Sequence, residues 1–214
     1  MRGLLLTNYY LVFRSLFVYA GIALLGSVLI FYFGDASTYG FVPMITGLAV
    51  APALEVIKHE GKSGYDKYVL TLPVTRTNIV QSHYFFYFIV VVISTLLSYG
   101  ILYIFGLVSD TPIYGIYKRV SFVNFIVLFA GAIAFPLLYV FGSEKSEAIT
   151  IGGTGGGLIA SFGVQGLILY LVEPLSNLNI DPSLYIPIIY ITSGVAIYIL
   201  SYFIATFIYH KKEF

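Results

Sequence analysis

Six stretches of this chain contain no Asp, Glu, Lys or Arg: residues 15–34, 36–54, 77–109, 120–143, 148–172 and 182–210. They are 20, 19, 33, 24, 25 and 29 residues long and together hold 150 of the 214 positions. A helix needs about 20 apolar residues to cross a hydrocarbon core of about 30 Å. Each stretch reaches that length or falls one residue short of it. Only 10% of the residues are charged, where a soluble domain carries about a quarter. The pieces left between the stretches are too small to bury a water-soluble core. The chain reads as an all-α integral membrane protein. Continuous apolar runs, in place of alternating strands of about ten residues, select helices over a barrel.

The expected spans are 15–33, 39–57, 84–106, 121–142, 148–171 and 184–208, forming one transmembrane domain over 1–214. Six crossings put both termini on one side. With that side inside, the inner pieces carry Arg2, Arg14, Lys58, Lys62, Lys67, Arg76, Lys145, Lys211 and Lys212, and the outer ones only Lys118 and Arg119. The bias of basic residues toward the cytoplasm therefore predicts cytoplasmic termini. The outer loops hold Asp35, Asp110, Glu173 and Asp181. The first span is expected to act as its own uncleaved membrane signal, because the N-terminus lacks a small-residue cleavage site.

Other classes lose support on composition. A net charge of +1 offers no basic face to nucleic acid, and zero Cys removes disulfides and thiolate metal sites. His59-Glu60 opens a zinc-protease pattern, but Ser63 stands where the second His ligand belongs. No Asp lies inside a span to form an aspartyl dyad, and no His lies deep in one to serve as a base. The run Gly152 to Gly163 lacks the Lys-Ser/Thr of a phosphate loop. Gly152, Gly156 and Ala160 recur at fours, as do Gly153 and Gly157, the small-residue pattern that lets helix backbones approach. Helix packing is the preferred reading, across a dimer axis or within the chain, and a broken helix lining a pathway is the alternative. Pro52 and Pro136 each remove a backbone donor and are expected to kink their helices.

Two segments on the inner side stand out. Residues 1–14 place Leu5, Tyr9, Val12 and Phe13 near one face, which fits either a short amphipathic helix in the headgroup plane or an extension of the first span. Glu55 closes the second span, as a gate, a docking acid or a solvated helix end. Beyond it, the piece 58–83 holds six of the 21 charges and is the one soluble segment long enough to dock a partner.

Within that piece, Gly64-Tyr65-Asp66-Lys67-Tyr68-Val69-Leu70-Thr71-Leu72-Pro73-Val74-Thr75-Arg76, followed by Ile79-Val80, resembles the inner loop of small ABC-2 permeases. Length, six spans and an amphipathic start agree with that family over the whole chain. One departure is His83-Tyr84, where many members carry Gly-Lys. Within the family the chain looks closest to the compact permeases of staphylococcal-type exporters of phenol-soluble modulins, which are amphipathic peptide toxins.

The resemblance implies a half-transporter in a bacterial plasma membrane. Two permease chains, identical or different, would face each other, each bound to a cytoplasmic ATPase subunit. ATP and Mg would be bound by those partners, with no cofactor and no enzymatic site in this chain. A coupling helix from Gly64 to Leu70 would enter a groove of the ATPase, with Thr71, Leu72, Pro73 and Arg76 forming the bend into span three and Glu60 preceding it. Tyr65 and Tyr68 suit aromatic anchoring, and Asp66, Lys67 and Arg76 suit electrostatic registration. The bland alternative rests those tyrosines on lipid. Drug, bacteriocin or lipid export is the runner-up cargo, and a passive channel or an assembly factor is the reading from another class.

Overall fold

A computed structural model of the chain describes residues 2–34, 38–108, 115–176 and 182–211. Asp35, Asp110, Asp181 and Lys212 lie outside these residues, as do the side chains of Leu70 and Glu173. Every described element is helical, and six helical segments are long and apolar enough to cross a membrane.

The first span is α1, Arg2–Phe33, one unbroken helix of 32 residues or about 48 Å. Residues 1–14 therefore do not form a separate surface helix; from Arg2 onward they continue the span. The reason lies in their packing. Leu4 and Val12 join the main core, and the buried Asn8 side-chain amide donates to Ser82 Oγ at 3.4 Å.

The second span is broken into α2 (Val42–Leu48), α3 (Ala51–Leu54) and α4 (Val56–Ser63), behind a 3₁₀ turn at Thr38–Phe41. Pro52 has no N–H for the Leu48 carbonyl, and its ring crowds that carbonyl. The backbone tightens around it into i→i−3 bonds: Val50 to Gly47, Ala53 to Val50 and Glu55 to Pro52, at 2.9–3.1 Å.

Past α4 the chain turns through α5 (Tyr65–Tyr68) and a 3₁₀ turn at Val69–Thr71, then enters α6, Arg76–Val108. α7 (Ile116–Phe141), α8 (Ser146–Ser176) and α9 (Pro182–Lys211) complete the bundle. The expected 26-residue soluble piece 58–83 is mostly helical extension. Only 64–75 lies between the long helices, because α4 runs on to Ser63 and α6 already begins at Arg76.

α7 is the central post. It packs along both α8 and α9, and 61% of its apolar window is buried against 11% for α1. α1 and α8 are peripheral and turn Tyr10, Phe17, Leu25, Tyr32, Ile159, Phe162 and Tyr170 outward. An apolar surface of that extent belongs in lipid.

Pro136 sits inside α7 without interrupting it. Its missing N–H leaves the Ala132 carbonyl without its helical donor. Ser201 of α9 fills the gap: its Oγ donates to Ala132 O at 2.5 Å and accepts the Tyr84 hydroxyl at 2.7 Å. Tyr198 closes the network by donating to the Tyr84 carbonyl at 2.9 Å. In lipid, no water is present to take over such a bond. Ser201→Ala is expected to cost about 1–2 kcal/mol in detergent unfolding, and Ser201→Thr to recover part of it. Equal unfolding midpoints for wild type and Ser201→Ala would remove Ser201 from this role.

Candidate functional site

One end of the bundle gathers the start of α1, the segment 56–76, the α7–α8 turn and the end of α9. It carries most of the chain's described charges. Gly64 terminates α4 in the left-handed region at φ 72°, and its N–H returns to the Glu60 and Gly61 carbonyls. Glycine enters that region without the steric penalty a Cβ brings, so the reversal into α5 falls there. Leu72 is extended at ψ 153°, as a residue preceding proline must be, and Pro73 ends the turn. Thr75 then caps α6 by accepting the Asn78 N–H at 3.3 Å.

The segment has two faces. Gly64, Lys67, Tyr68, Thr71 and Pro73 are exposed, with Tyr68 59% exposed. Val69 is buried, and the half-buried Tyr65, Leu72 and Val74 pack on the core beneath. The Tyr65 and Tyr68 rings meet at 6.1 Å, so the half-buried ring braces the exposed one. Asp66 is half-buried, and its Oδ1 has no hydrogen-bond partner among the described residues.

Two residues expected on the docking face serve the interior. Glu60 is 5% exposed and its Oε1 pairs with His83 Nε2 at 3.1 Å. Its carboxylate is directed into the bundle because α4 continues as a helix past Lys58 and turns this position toward α6. Arg76 donates through Nη1 to the His210 carbonyl at 2.9 Å and the Tyr209 carbonyl at 3.4 Å. Those carbonyls are orphans of the α9 C-terminus, where a cation is also favoured by the helix dipole. Thr77 Oγ1 meets His210 Nε2 beside them at 2.9 Å.

His83 joins three elements. Its Nδ1 lies 2.7 Å from Tyr139 Oη on α7, while Nε2 faces Glu60 on α4. One neutral tautomer satisfies both contacts, with Nε2–H donating to the carboxylate and Nδ1 accepting the phenol proton. All three groups are 5% exposed or less. A cavity of about 240 Å³ lined by Glu60, Asp66, His83, Tyr139, Glu144 and Tyr209 lies behind the segment. Sequence reasoning missed this cluster. The only signal was His83 itself, standing where the resembling family carries Gly-Lys. Lys58 adds a link from α4 to the α8 start, with Nζ 2.7 Å from Glu147 Oε1. Glu55, at the break before α4, lies 3.8 Å from His59.

The glycine face of α8 divides by position. A Cβ on Gly157 would fall 2.7 Å from the Ile126 carbonyl oxygen, and one on Gly153 would fall 3.0 Å from the Ala130 oxygen, both backbone atoms of α7. Gly156 sits against the Ile133 and Phe129 side chains, and Ala160 packs on the cluster around Phe125 and Tyr190. Gly152 faces open space. The close approach that the fourfold spacing predicts is therefore made within the chain, between α8 and α7. Beside it an apolar groove of about 250 Å³ runs between the broken second span, α7 and α8.

No curated protein and no solved structure matches the chain. The six membrane-length helical segments agree with the span number that the resemblance implies. A family model described as ABC-2 family transporter protein matches residues 3–210, and the chain belongs to that family.

Proposed function

We propose that this multi-pass membrane protein is the permease subunit of an ATP-driven exporter, with its termini and the 64–75 segment in the bacterial cytoplasm. Family membership implies work with an ATPase subunit in general. The observation that carries the docking assignment is the exposed Tyr68, held on a short helix by Tyr65, Val69 and Pro73. Aromatic side chains presented on rigid supports make effective interface anchors. Lys67, Thr71, Gly64 and Pro73 form the rim with the half-buried Asp66 beside them, while Glu60, Arg76, Leu72 and Val69 hold the segment to the bundle. Two permease chains and two ATPase subunits form the complex in this reading, and ATP with Mg is bound by the ATPases alone.

The cargo is amphipathic or hydrophobic, since the charge-free stretches that build the spans offer no charged binding site. Peptide toxins of the phenol-soluble modulin class suit that chemistry and rest on the resemblance of the inner loop. ATP binding in the partner would shift the population between inward and outward states of the paired permeases.

Tyr68→Ala is expected to lower ATPase recovery on co-purification by about tenfold, as loss of a hot spot of about 1–2 kcal/mol implies, while membrane insertion is unchanged. Undiminished recovery would remove Tyr68 from the interface. Export by the complete complex with hydrolysable ATP, and its absence with a non-hydrolysable analogue, separates this reading from a passive channel.

A further inference from the structure

At the opposite end of the bundle, Lys118 and Arg119 are the last charges before the charge-free stretch 120–143, which places them at headgroup depth. They line a cavity of about 530 Å³ together with Gly40, Phe41, Phe122 and Gln165. The Arg119 guanidinium crosses Gly40 so closely that a Cβ there would fall 2.7 Å from Nη1. That Nη1 is buried and has no hydrogen-bond partner among the described residues. A buried guanidinium nitrogen left unpaired is costly, so a native structure that keeps one needs a reason for it. The cavity also contains the N-terminus of the 26-residue α7, where Gly115 supplies no side-chain cap. Two cations and a helix N-terminus all favour an anion at this spot.

The walls below specify what kind of anion. Met44 and Val123 line both this cavity and the apolar groove between the second span, α7 and α8, so the two adjoin. The path descends past Gly47, Leu48, Val127 and Thr154 to Ala130. From Arg119 to Ala130 along α7 is about 17 Å, a distance suited to an acyl chain. A free anion would leave that groove empty, and a zwitterionic headgroup would bring its own cation against Lys118.

We propose that the cavity and the adjoining groove together bind an anionic phospholipid, with its phosphate on Lys118 and Arg119 and one acyl chain passing Met44 and Val123 to lie between α7, α8 and the second span. The planar guanidinium suits two phosphate oxygens at once, and Gly40 leaves room for that approach. The site does not depend on the exporter reading.

The test uses the delipidated full chain in detergent. Phosphatidylglycerol, phosphatidylcholine with the same chains, and inorganic phosphate are each titrated, read by native mass spectrometry and by unfolding midpoint. Phosphatidylglycerol is expected to remain bound and to raise the midpoint by a few degrees, with no comparable effect from the other two. Arg119→Gln should weaken its binding about tenfold, and Arg119→Lys should restore part of it. Thr154→Phe, which leaves both cations in place and blocks the groove, should weaken it independently. Equal binding of phosphatidylcholine would overturn the proposal, as would unchanged binding in both Arg119→Gln and Thr154→Phe. An equal effect of inorganic phosphate would reduce the site to a free-anion site. An amphipathic peptide with a free C-terminal carboxylate that binds there while phosphatidylglycerol does not would also overturn it.

Discussion

Gly157→Leu is expected to prevent α8 from seating on α7. The new Cβ alone would lie 2.7 Å from the Ile126 carbonyl oxygen, a backbone atom that cannot rotate away. The two helices must separate, and overpacking of a rigid contact costs about 1–3 kcal/mol even where side chains can adjust. Here the loss should exceed that range, with little folded protein recovered from membranes. Gly152→Leu, one turn and one residue earlier, meets open space and should leave stability within about 0.5 kcal/mol. Thermal unfolding of the two variants in the same detergent decides the matter. Similar midpoints would mean that α8 does not pack through Gly157. If Gly152→Leu instead unfolds the chain or breaks its self-association, the open face at Gly152 is a contact between copies.

The second large effect belongs to His83. Replacing it with Leu leaves the Glu60 carboxylate without its His83 contact and removes the ring nitrogen 2.7 Å from Tyr139 Oη, both groups being nearly inaccessible. Removing one member of such a buried set costs about 3–5 kcal/mol, because the remaining polar groups keep their desolvation penalty. Glu60→Leu combined with His83→Leu removes the carboxylate left without that contact and should recover a large part of the loss. A double-mutant cycle on unfolding free energy measures this directly. Additive losses would show that the 3.1 Å contact carries no coupling.

These two cases also mark what the amino-acid order reveals. Gly153 and Gly157 announce themselves locally, because a four-residue spacing of small side chains has one main physical use in a membrane helix. Pro52 and Pro73 are equally legible: each dictates its own φ and constrains the residue before it. The Glu60–His83–Tyr139 cluster is not, since its members lie 23 and 56 positions apart and only helix packing joins them. Ser201 is hidden for a related reason. Nothing around it signals that a carbonyl 69 positions away has lost its donor. Arg76 reads as a surface charge until the end of α9 arrives beside it with two unmet carbonyls. The six spans follow from charge alone, whereas the 64–75 segment is shorter than the polarity of 58–83 implies because helices continue past the apolar boundary.

The break in the second span has a mechanical consequence. Between Gly47 and Glu55 several of the backbone bonds are short-range i→i−3 turns, and one helical acceptor has lost its donor to Pro52. Amide exchange should be faster there than in the uninterrupted middle of α7. Among the described residues, a compliant stretch of backbone thus sits within a membrane-length segment and not only between such segments. Short i→i−3 turns of this kind let the two halves of a span tilt against each other more easily than a continuous helix would.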